Sequence, residues 1–436
     1  MKAILSKRSI LCVLAILLFA VAAKAREDDD DEDGRPRWFS AWANSIGARM
    51  GPSFTGANFA PDLTGKTVRM IVRPTISGKA VRVKIENTQA TTPVTFLRAF
   101  VGELATGPAL ATGTNRQLSF GGKAGITLAA GGQPGDSAFS DPVPFRVHAF
   151  ARLAVSLEVA TSVEVSGHQL GLVTNYVADG AVGSNTSGAG FTPVPNNAGN
   201  FPVYWVAVVD VRSSTAPGTI VTFGDSITDG RCSTQDSAGI HPDLYNRWPD
   251  VLAARLQALL GKRAPAVANE GIAGNRIVSG GNGPPALTRI GRDVLDRAGL
   301  RWVIFFEGTN DITGNATAAT VISGTQTIID AAHGANGTGV PIFGVTVVPR
   351  GRLSTIGGWN SSFEAQRVAV NHWMHTQASF DSLIEFGALL QGPIIADTPT
   401  NVAESLHLDF NCGDFTHPNT AGYAAMGRFI DLELFK

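Results

Sequence analysis

The chain has 436 residues, with 35 basic residues against 36 acidic ones, and is 44% hydrophobic and 16% charged. This length exceeds the roughly 100–200 residues of an ordinary domain, which predicts two domains. The composition excludes a disordered or fibrous protein, and the balanced charge offers no basic stripe for nucleic acid.

The first 25 residues have the pattern of a secretory signal peptide. Three basic residues precede the apolar run Ile10–Ala23, which ends in Ala23-Lys24-Ala25. The run is about 14 residues long, short of the roughly 20 that span a bilayer. We therefore expect cleavage of residues 1–25 at this A-x-A site. The mature protein would be secreted or periplasmic, with no stable membrane anchor.

An acidic segment follows the cleavage site. Glu27–Asp33 is a run of seven acids, and residues 26–37 are predicted to be solvated and disordered. Removal of residues 1–25 leaves 31 basic against 36 acidic residues, a net charge of −5. Because Cys12 lies in the predicted signal peptide, Cys232 and Cys412 are the two cysteines of the mature chain.

Residues 38–213 are predicted to form a β-rich accessory domain. In Val81–Ile85 apolar and charged residues alternate, which is typical of a strand buried on one face. Clusters of Gly, Pro and Ser separate such segments, so an antiparallel β-sandwich is expected. Gly180–Pro202 is predicted to be a long loop. The predicted strands are Val68–Arg73, Lys79–Asn87, Thr95–Gly102, Ile126–Ala130, Pro144–Val147, Leu153–Ala160 and Tyr204–Val211.

The pattern changes after the linker-like Ser213–Gly218, and residues 219–436 are predicted to form an α/β domain. Short apolar runs alternate with helical stretches such as Trp248–Leu260 and Ala365–Ser379, which indicates a parallel sheet with helices on both faces. Reactive groups of such sheets gather at the carboxyl ends of the strands. The predicted strands are Ile220–Phe223, Ala266–Ala268, Trp302–Phe306, Ile342–Val347 and Leu383–Phe386.

The first of these strands leads directly into a candidate nucleophile. Ile220–Phe223 is followed by Gly224–Gly230, which places Ser226 at a strand-to-helix turn, close to backbone N–H groups that stabilise an oxyanion. Asp225 is expected to hold the shape of this turn. The same tripeptide recurs at Gly135-Asp136-Ser137 without a preceding apolar strand, where an ordinary loop is expected.

Three further segments follow in order: Asn269–Arg276, Glu307–Asp311 and Gly413–Asn419. Together with the Ser226 segment they resemble the SGNH/GDSL hydrolase superfamily, named for its Ser, Gly, Asn and His. Upstream, three segments resemble the xylanolytic-esterase-like branch of that superfamily, which carries an N-terminal β-rich domain. These segments are Trp38–Trp42, Thr174–Val177 and Arg247–Pro249. The resemblance implies a flavodoxin-like parallel sheet preceded by the β-sandwich.

The resemblance also implies site residues. Ser226 would be the nucleophile, His417 the general base and Asp414 its orienter, since an Asp three residues before a His reaches the imidazole Nδ1. The oxyanion hole would comprise the Ser226 and Gly274 N–H groups and the Asn310 amide. Gly271 competes with Gly274 for this role. His407 competes with His417, although it lacks an Asp three residues before it and a Pro-Asn helix start after it.

The predicted function is that of a secreted serine esterase that hydrolyses carboxylic esters through an acyl-enzyme, with no cofactor and no metal. Its substrate would be an ester, with acetylated plant polysaccharide such as xylan implied by the resemblance. A lipase or aryl-esterase acting on small hydrophobic esters is the alternative, and a non-catalytic carbohydrate-binding protein is a remote one. The β-rich domain either binds glycan or braces the active site, and its scattered Phe residues favour bracing.

The two mature cysteines are predicted to form a disulfide. Cys232 lies six residues after Ser226, and Cys412 lies five before His417. Assembly of the triad brings these two loops together, and an exported protein meets an oxidising compartment.

Overall fold

The computed structural model describes residues 35–195, 199–236, 239–337, 339–351, 359–398 and 401–436. The predicted signal peptide and most of the predicted acidic segment lie outside these ranges. Residues Arg35–Lys436 form one compact unit. No helix within the described ranges is long and apolar enough to cross a membrane.

The first part of this unit is built from antiparallel strands. Its two larger sheets have five and eight strands, and a third has three. The strands are β1 Arg37–Ala43, β2 Ala48–Met50, β3 Lys66–Val72, β4 Gly78–Glu86, β5 Val94–Thr106, β6 Ala109–Leu110, β7 Arg116–Leu118, β8 Ile126–Leu128, β9 Ser137–Phe139, β10 Val143–Val147, β11 Leu153–Thr161, β12 Val165–His168, β13 Tyr176–Asp179, β14 Thr192–Pro193, β15 Val203–Tyr204 and β16 Val206–Ser213. The antiparallel β-rich prediction is therefore confirmed.

Alternating side chains of these strands build a shared core. Val81, Val83 and Ile85 of β4 are buried and share one apolar cluster with residues of β3 and β11 in the eight-stranded sheet. This period-2 burial is what the alternation in the sequence predicts. The two sheets thus bury a common face, as in a sandwich.

The predicted strand Tyr204–Val211 is broken at Trp205. Trp205 has φ 56° and a fully buried side chain packed edge-on against Phe96, with 5.3 Å between ring centroids. Such a φ is uncommon for a bulky residue and interrupts the extended backbone. The break lets β15 pair with β12 while β16 pairs with β1 and β4.

The second part of the unit contains a five-stranded parallel sheet with the order β20-β17-β21-β22-β23. Relative to chain order this is 2-1-3-4-5, the flavodoxin-like arrangement. The strands are β17 Thr219–Gly224, β18 Gln235–Asp236, β19 Gly239–Ile240, β20 Ala266–Gly271, β21 Leu300–Phe306, β22 Ile342–Val345, β23 Ser382–Ile384, β24 Gln391–Thr398 and β25 Asn401–Leu406. The helices are α1 Ser226–Asp229, α2 Trp248–Leu260, α3 Ala286–Ile290, α4 Thr309–Thr313, α5 Ala318–His333, α6 Ser361–Thr376, α7 Phe386–Leu389 and α8 Thr420–Phe429.

Helices cover both faces of this sheet. Val303 and Phe305 of β21 belong to an apolar cluster with residues of α5 and α6. Trp302, Ile304 and Phe306 of the same strand belong to a second cluster with residues of α2 and α8. Because successive residues of a strand point to opposite faces, one strand buries side chains under both helical layers.

The β-rich part contacts the edge strand β20 of the parallel sheet. Thr75 Oγ1 accepts a hydrogen bond from Val267 N at 2.9 Å, and its carbonyl accepts one from Gln257 Nε2 at 2.9 Å. Ser40 exchanges two hydrogen bonds of 3.0 Å with the backbone of Ala298. The predicted boundary between residues 213 and 219 is thus a change of architecture within one compact unit, and its assignment as a domain boundary stays a prediction.

Candidate active site

Ser226 lies at the carboxyl end of β17, the strand between β20 and β21 in the parallel sheet. A Cβ on Gly224 would lie 2.2 Å from Thr228 Oγ1, so the turn requires glycine there. Asp225 caps the short helix α1, because its carboxylate accepts a hydrogen bond from Ile227 N at 2.9 Å. The turn therefore holds the Ser226 side chain at the edge of the sheet, where neighbouring strands also end.

The structure brings the three predicted charge-relay residues together. Ser226 Oγ lies 2.8 Å from His417 Nε2, and His417 Nδ1 lies 2.6 Å from Asp414 Oδ2. Since a carboxylate only accepts, Nδ1 carries a proton and leaves Nε2 to accept the serine proton. His407, the alternative base, contacts Phe410 and Asp409 instead.

The Asp414 carboxylate is held by its own turn. Asp414 Oδ1 accepts hydrogen bonds from Thr416 N at 2.9 Å and from His417 N at 2.8 Å. Burial opposes ionisation, but the hydrogen bond and charge of His417 and these backbone N–H groups outweigh it and lower the pKa of Asp414 to about 2. The residue is therefore ionised at neutral pH and able to orient His417.

Two of the predicted oxyanion donors are available. Neither the Ser226 N–H nor the Gly274 N–H donates a hydrogen bond to another described residue. Gly271 N, the competing donor, already donates a hydrogen bond to Asn269 Oδ1 at 2.9 Å. Gly274 has φ 79°, a conformation that favours glycine. The geometry therefore favours Gly274 over Gly271.

The third predicted donor, Asn310, makes contacts of its own. Its Nδ2 donates to Asn275 O at 3.0 Å and lies 3.4 Å from Asp225 Oδ2. The second contact is long for a hydrogen bond. Burial raises the pKa of Asp225 to about 7, so near neutral pH its carboxyl group is partly protonated and accepts the Asn310 amide proton more weakly. One amide proton of Asn310 is thus bonded to Asn275 O, while the other makes only the long contact and is available to a developing oxyanion.

Asn310→Ala is expected to lower kcat by about 10²–10³-fold with little change in KM, because an oxyanion donor acts mainly on the charge of the transition state. Steady-state kinetics on a p-nitrophenyl ester would measure both constants. Asn315→Ala, in the loop after α4, serves as the control. A rise in KM alone would instead make Asn310 a ground-state binding residue.

Arg289, which no sequence pattern indicates, links several of these loops. Its guanidinium, with no exposed surface, donates to Gly224 O at 3.0 Å, Glu270 O at 2.7 Å and Asn275 Oδ1 at 2.9 Å. It therefore joins the nucleophile turn to the Gly274 loop. No motif or spacing marks an arginine in a short helix as such a link.

Arg350 also lies outside any sequence motif and makes a similar link. It follows β22, and its Nε lies 3.1 Å from Thr416 Oγ1 while its Nη1 lies 3.4 Å from Thr309 Oγ1. These threonines directly precede His417 and Asn310. Arg350 thus connects the loop of the base to the loop of the oxyanion donor.

Cys232 and Cys412 form the predicted disulfide, with their Cα atoms 6.2 Å apart and a sequence separation of 180. Cys412 N also donates to His417 O at 3.1 Å, so the bridge ties the loop of the base to the segment after α1. Together with Asp414, these sulfurs are the cluster of three potential metal ligands found among the described residues. Metals bind the thiolate form, which a disulfide lacks.

The double variant Cys232→Ser/Cys412→Ser is expected to melt at a lower temperature and to have a lower kcat. For a closed loop this long the chain-entropy model gives roughly 5 kcal/mol as an upper figure, with strain reducing it. Circular dichroism and steady-state kinetics, with and without reductant, would measure both effects. Reductant should affect the wild type and not the variant. Titration of two thiols in the native protein would contradict the prediction.

Residues 222–425, just under half of the chain, match the GDSL-like lipase/acylhydrolase family. No curated protein matches the sequence.

Solved structures that are similar to about half of this chain include the following three. A carbohydrate acetylesterase family member from Sinorhizobium meliloti is 18% identical, with 50% of this chain and 97% of that chain covered and a TM-score of 0.36. The native aryl esterase of M. smegmatis is 17% identical, with coverages of 48% and 95% and a TM-score of 0.33. A putative arylesterase from Agrobacterium tumefaciens str. C58 is 20% identical, with coverages of 48% and 95% and a TM-score of 0.33.

Proposed function

We propose that this protein, which carries a GDSL-like lipase/acylhydrolase domain over residues 222–425 and is a carboxylic ester hydrolase, cleaves its substrates through an acyl-enzyme on Ser226. The observation that carries the proposal is the continuous hydrogen-bonded chain from Ser226 Oγ through His417 to Asp414. A serine hydroxyl is a weak nucleophile unless an adjacent base takes its proton, and this chain supplies the base.

In the proposed reaction Ser226 Oγ attacks the ester carbonyl carbon while its proton moves to His417 Nε2. The Ser226 and Gly274 N–H groups and the Asn310 amide hold the oxyanion of the tetrahedral intermediate. His417 then protonates the leaving alcohol, and the C–O bond of the ester breaks to leave the acyl-enzyme. Water, deprotonated by His417, releases the acid and restores the serine.

We further propose that the substrate is an acetylated plant polysaccharide such as xylan. The position of the triad near the surface supports this, because the Asp414 side chain is 36% exposed and that of His417 is 16% exposed. A polymer can reach such a site without threading through a tunnel.

Secretion, to the medium or the periplasm, is part of the same proposal. The signal-peptide pattern of residues 1–25 and the Cys232–Cys412 disulfide support it, since disulfides persist in oxidising compartments. Mass spectrometry of the protein recovered outside the cytoplasm should find Arg26 as the first residue. An intact N-terminus in a cytoplasmic fraction would contradict secretion.

The substrate proposal is tested by comparing acetate release from acetylated xylan with hydrolysis of p-nitrophenyl acetate, butyrate and palmitate. We expect acetate release from xylan and a kcat/KM that falls as the acyl chain lengthens. Faster cleavage of palmitate with no acetate release would favour a lipase, and binding of xylan without any hydrolysis would favour a non-catalytic protein. Ser226→Ala provides the blank.

A further inference from the structure

His168, a residue of the β-rich part, lies behind the nucleophile turn. It ends strand β12, is 5% exposed and packs between the segment after β1 and helix α1. Its Nδ1 lies 2.9 Å from Ser45 O and its Nε2 lies 2.9 Å from Asp229 Oδ1. Neither sequence motif nor triad geometry involves this histidine.

The partners of His168 define its protonation state. A backbone carbonyl and a carboxylate both accept hydrogen bonds, so both ring nitrogens of His168 must carry a proton. Burial disfavours the imidazolium, but the charge and the hydrogen bond of Asp229 outweigh it and raise the pKa of His168 above its usual value. His168 and Asp229 therefore form a buried ion pair.

Asp229 uses its other oxygen at the active site. Asp229 Oδ2 accepts a hydrogen bond from Ala273 N at 2.8 Å, and Ala273 directly precedes Gly274. Asp229 is also the last residue of α1, the helix that begins with Ser226. One carboxylate thus connects the helix of the nucleophile to the loop that presents the Gly274 N–H.

The other charges around His168 leave this pair intact. Arg247, at the start of α2, donates to the backbone carbonyl of Asp229 rather than to its carboxylate. Arg73 and Asp250 line the cavity of about 50 Å³ that His168 and Asp229 share. His168 is therefore the cation hydrogen-bonded to the Asp229 carboxylate, and without it this carboxylate would be buried and unpaired, which is costly.

We propose that His168 is a positioning residue of the esterase: through Asp229 it fixes the Ala273–Gly274 loop so that the Gly274 N–H points at the oxyanion formed on attack by Ser226. This gives the β-rich part an indirect role in catalysis, the positioning of an oxyanion donor, whether or not it binds glycan. The inference rests on the proposed acyl-enzyme mechanism.

The ion pair has a defined pH dependence. The pKa of His168 is raised in the folded state. The ion pair is therefore fully present below the ordinary pKa of histidine and is lost as pH rises through the raised pKa of His168. Loss of the proton removes one of the two hydrogen bonds and frees the Asp229 carboxylate to move. We therefore expect kcat of the wild type to fall on the alkaline side.

His168→Gln tests the proposal, with His148→Gln as its control because His148 is an exposed histidine of the same β-rich part. His168→Gln is expected to lower kcat by about ten- to hundredfold with KM changed far less, since a small displacement of a catalytic donor costs up to about 10²-fold. It should also lack the alkaline fall in kcat. His148→Gln should match the wild type in both respects.

Wild-type kcat and an unaltered alkaline fall in His168→Gln would overturn the proposal. If that variant does not fold, Asp229→Asn tests the same link, because an isosteric amide cannot accept from both His168 and Ala273.

Labelling of Ser226 with a fluorophosphonate distinguishes failure of this proposal from failure of the proposed function. If wild-type Ser226 is not phosphonylated, the acyl-enzyme mechanism itself fails. If the wild type is phosphonylated and His168→Gln reacts at the same rate across the pH range, only the role of His168 fails.

Discussion

Ser226→Ala is expected to lower kcat by at least about 10³-fold while leaving the fold intact, because the variant lacks the atom that forms the acyl-enzyme. Ser226 is 6% exposed, and its hydroxyl bonds to His417 rather than to any backbone group of the core. Its loss should therefore change stability little. Release of p-nitrophenol from a short ester measures kcat, and thermal unfolding followed by circular dichroism measures stability.

The chain supplies its own matched control for this substitution. Gly135-Asp136-Ser137 repeats the tripeptide of the nucleophile turn, but in the structure it forms a turn that leads into strand β9 of the β-rich part. Ser137→Ala removes the same hydroxyl from the same tripeptide, and we expect wild-type kcat from it. Near wild-type turnover in Ser226→Ala would refute the acyl-enzyme mechanism.

Asp414→Asn is expected to lower kcat by about 10³–10⁴-fold, as an aspartate-to-asparagine change does in comparable triads. The two backbone N–H groups that bond to Asp414 Oδ1 require an acceptor, so they hold the amide oxygen of the asparagine. Its NH₂ group then faces His417 Nδ1 and forces the proton onto Nε2. An imidazole in that tautomer cannot accept the proton of Ser226.

Asp409→Asn is the control for this variant, because Asp409 lies in the same segment with a side chain that is 85% exposed. We expect wild-type kcat from it. Equal activity of Asp414→Asn and the wild type would exclude Asp414 as the orienter.

Asp414→Asn is also expected to change how the stability of the protein depends on acid pH. Because the pKa of Asp414 is lowered to about 2, its contribution to the free energy of unfolding is present above its ordinary pKa and is lost as pH falls through about 2. Asp414→Asn should lack this dependence. Thermal unfolding between neutral pH and pH 2 would measure the difference.

Elements with strong local signals were predicted well. Helix α2 has the bounds Trp248–Leu260 that the sequence predicts, since its apolar residues recur at helical spacing. The predicted helix Ala365–Ser379 instead begins at Ser361, where Asn360 caps it by accepting from Phe363 N. Element ends depend on single capping contacts, and these are harder to predict than periodicity.

The two hairpins β18–β19 and β24–β25 were not predicted. Both lie in the second part of the chain, outside the parallel sheet, and in each hairpin the two strands pair with each other. Gln391–Leu406 contains neither a clear apolar alternation nor an Asn-Gly turn, so no local pattern indicated a hairpin.

By itself the sequence indicated the residues of the proposed chemistry, because a serine after an apolar strand and an Asp and His three residues apart are local patterns whose geometry follows from one turn each. Only the tertiary structure decided how that chemistry is held in place. His168 reaches Ser45 across 123 positions and Asp229 across 61. Ser45 Oγ in turn reaches Glu270, 225 positions away. Such contacts form when the β-rich part packs against the parallel sheet, and no local pattern in the chain records which buried groups will meet there.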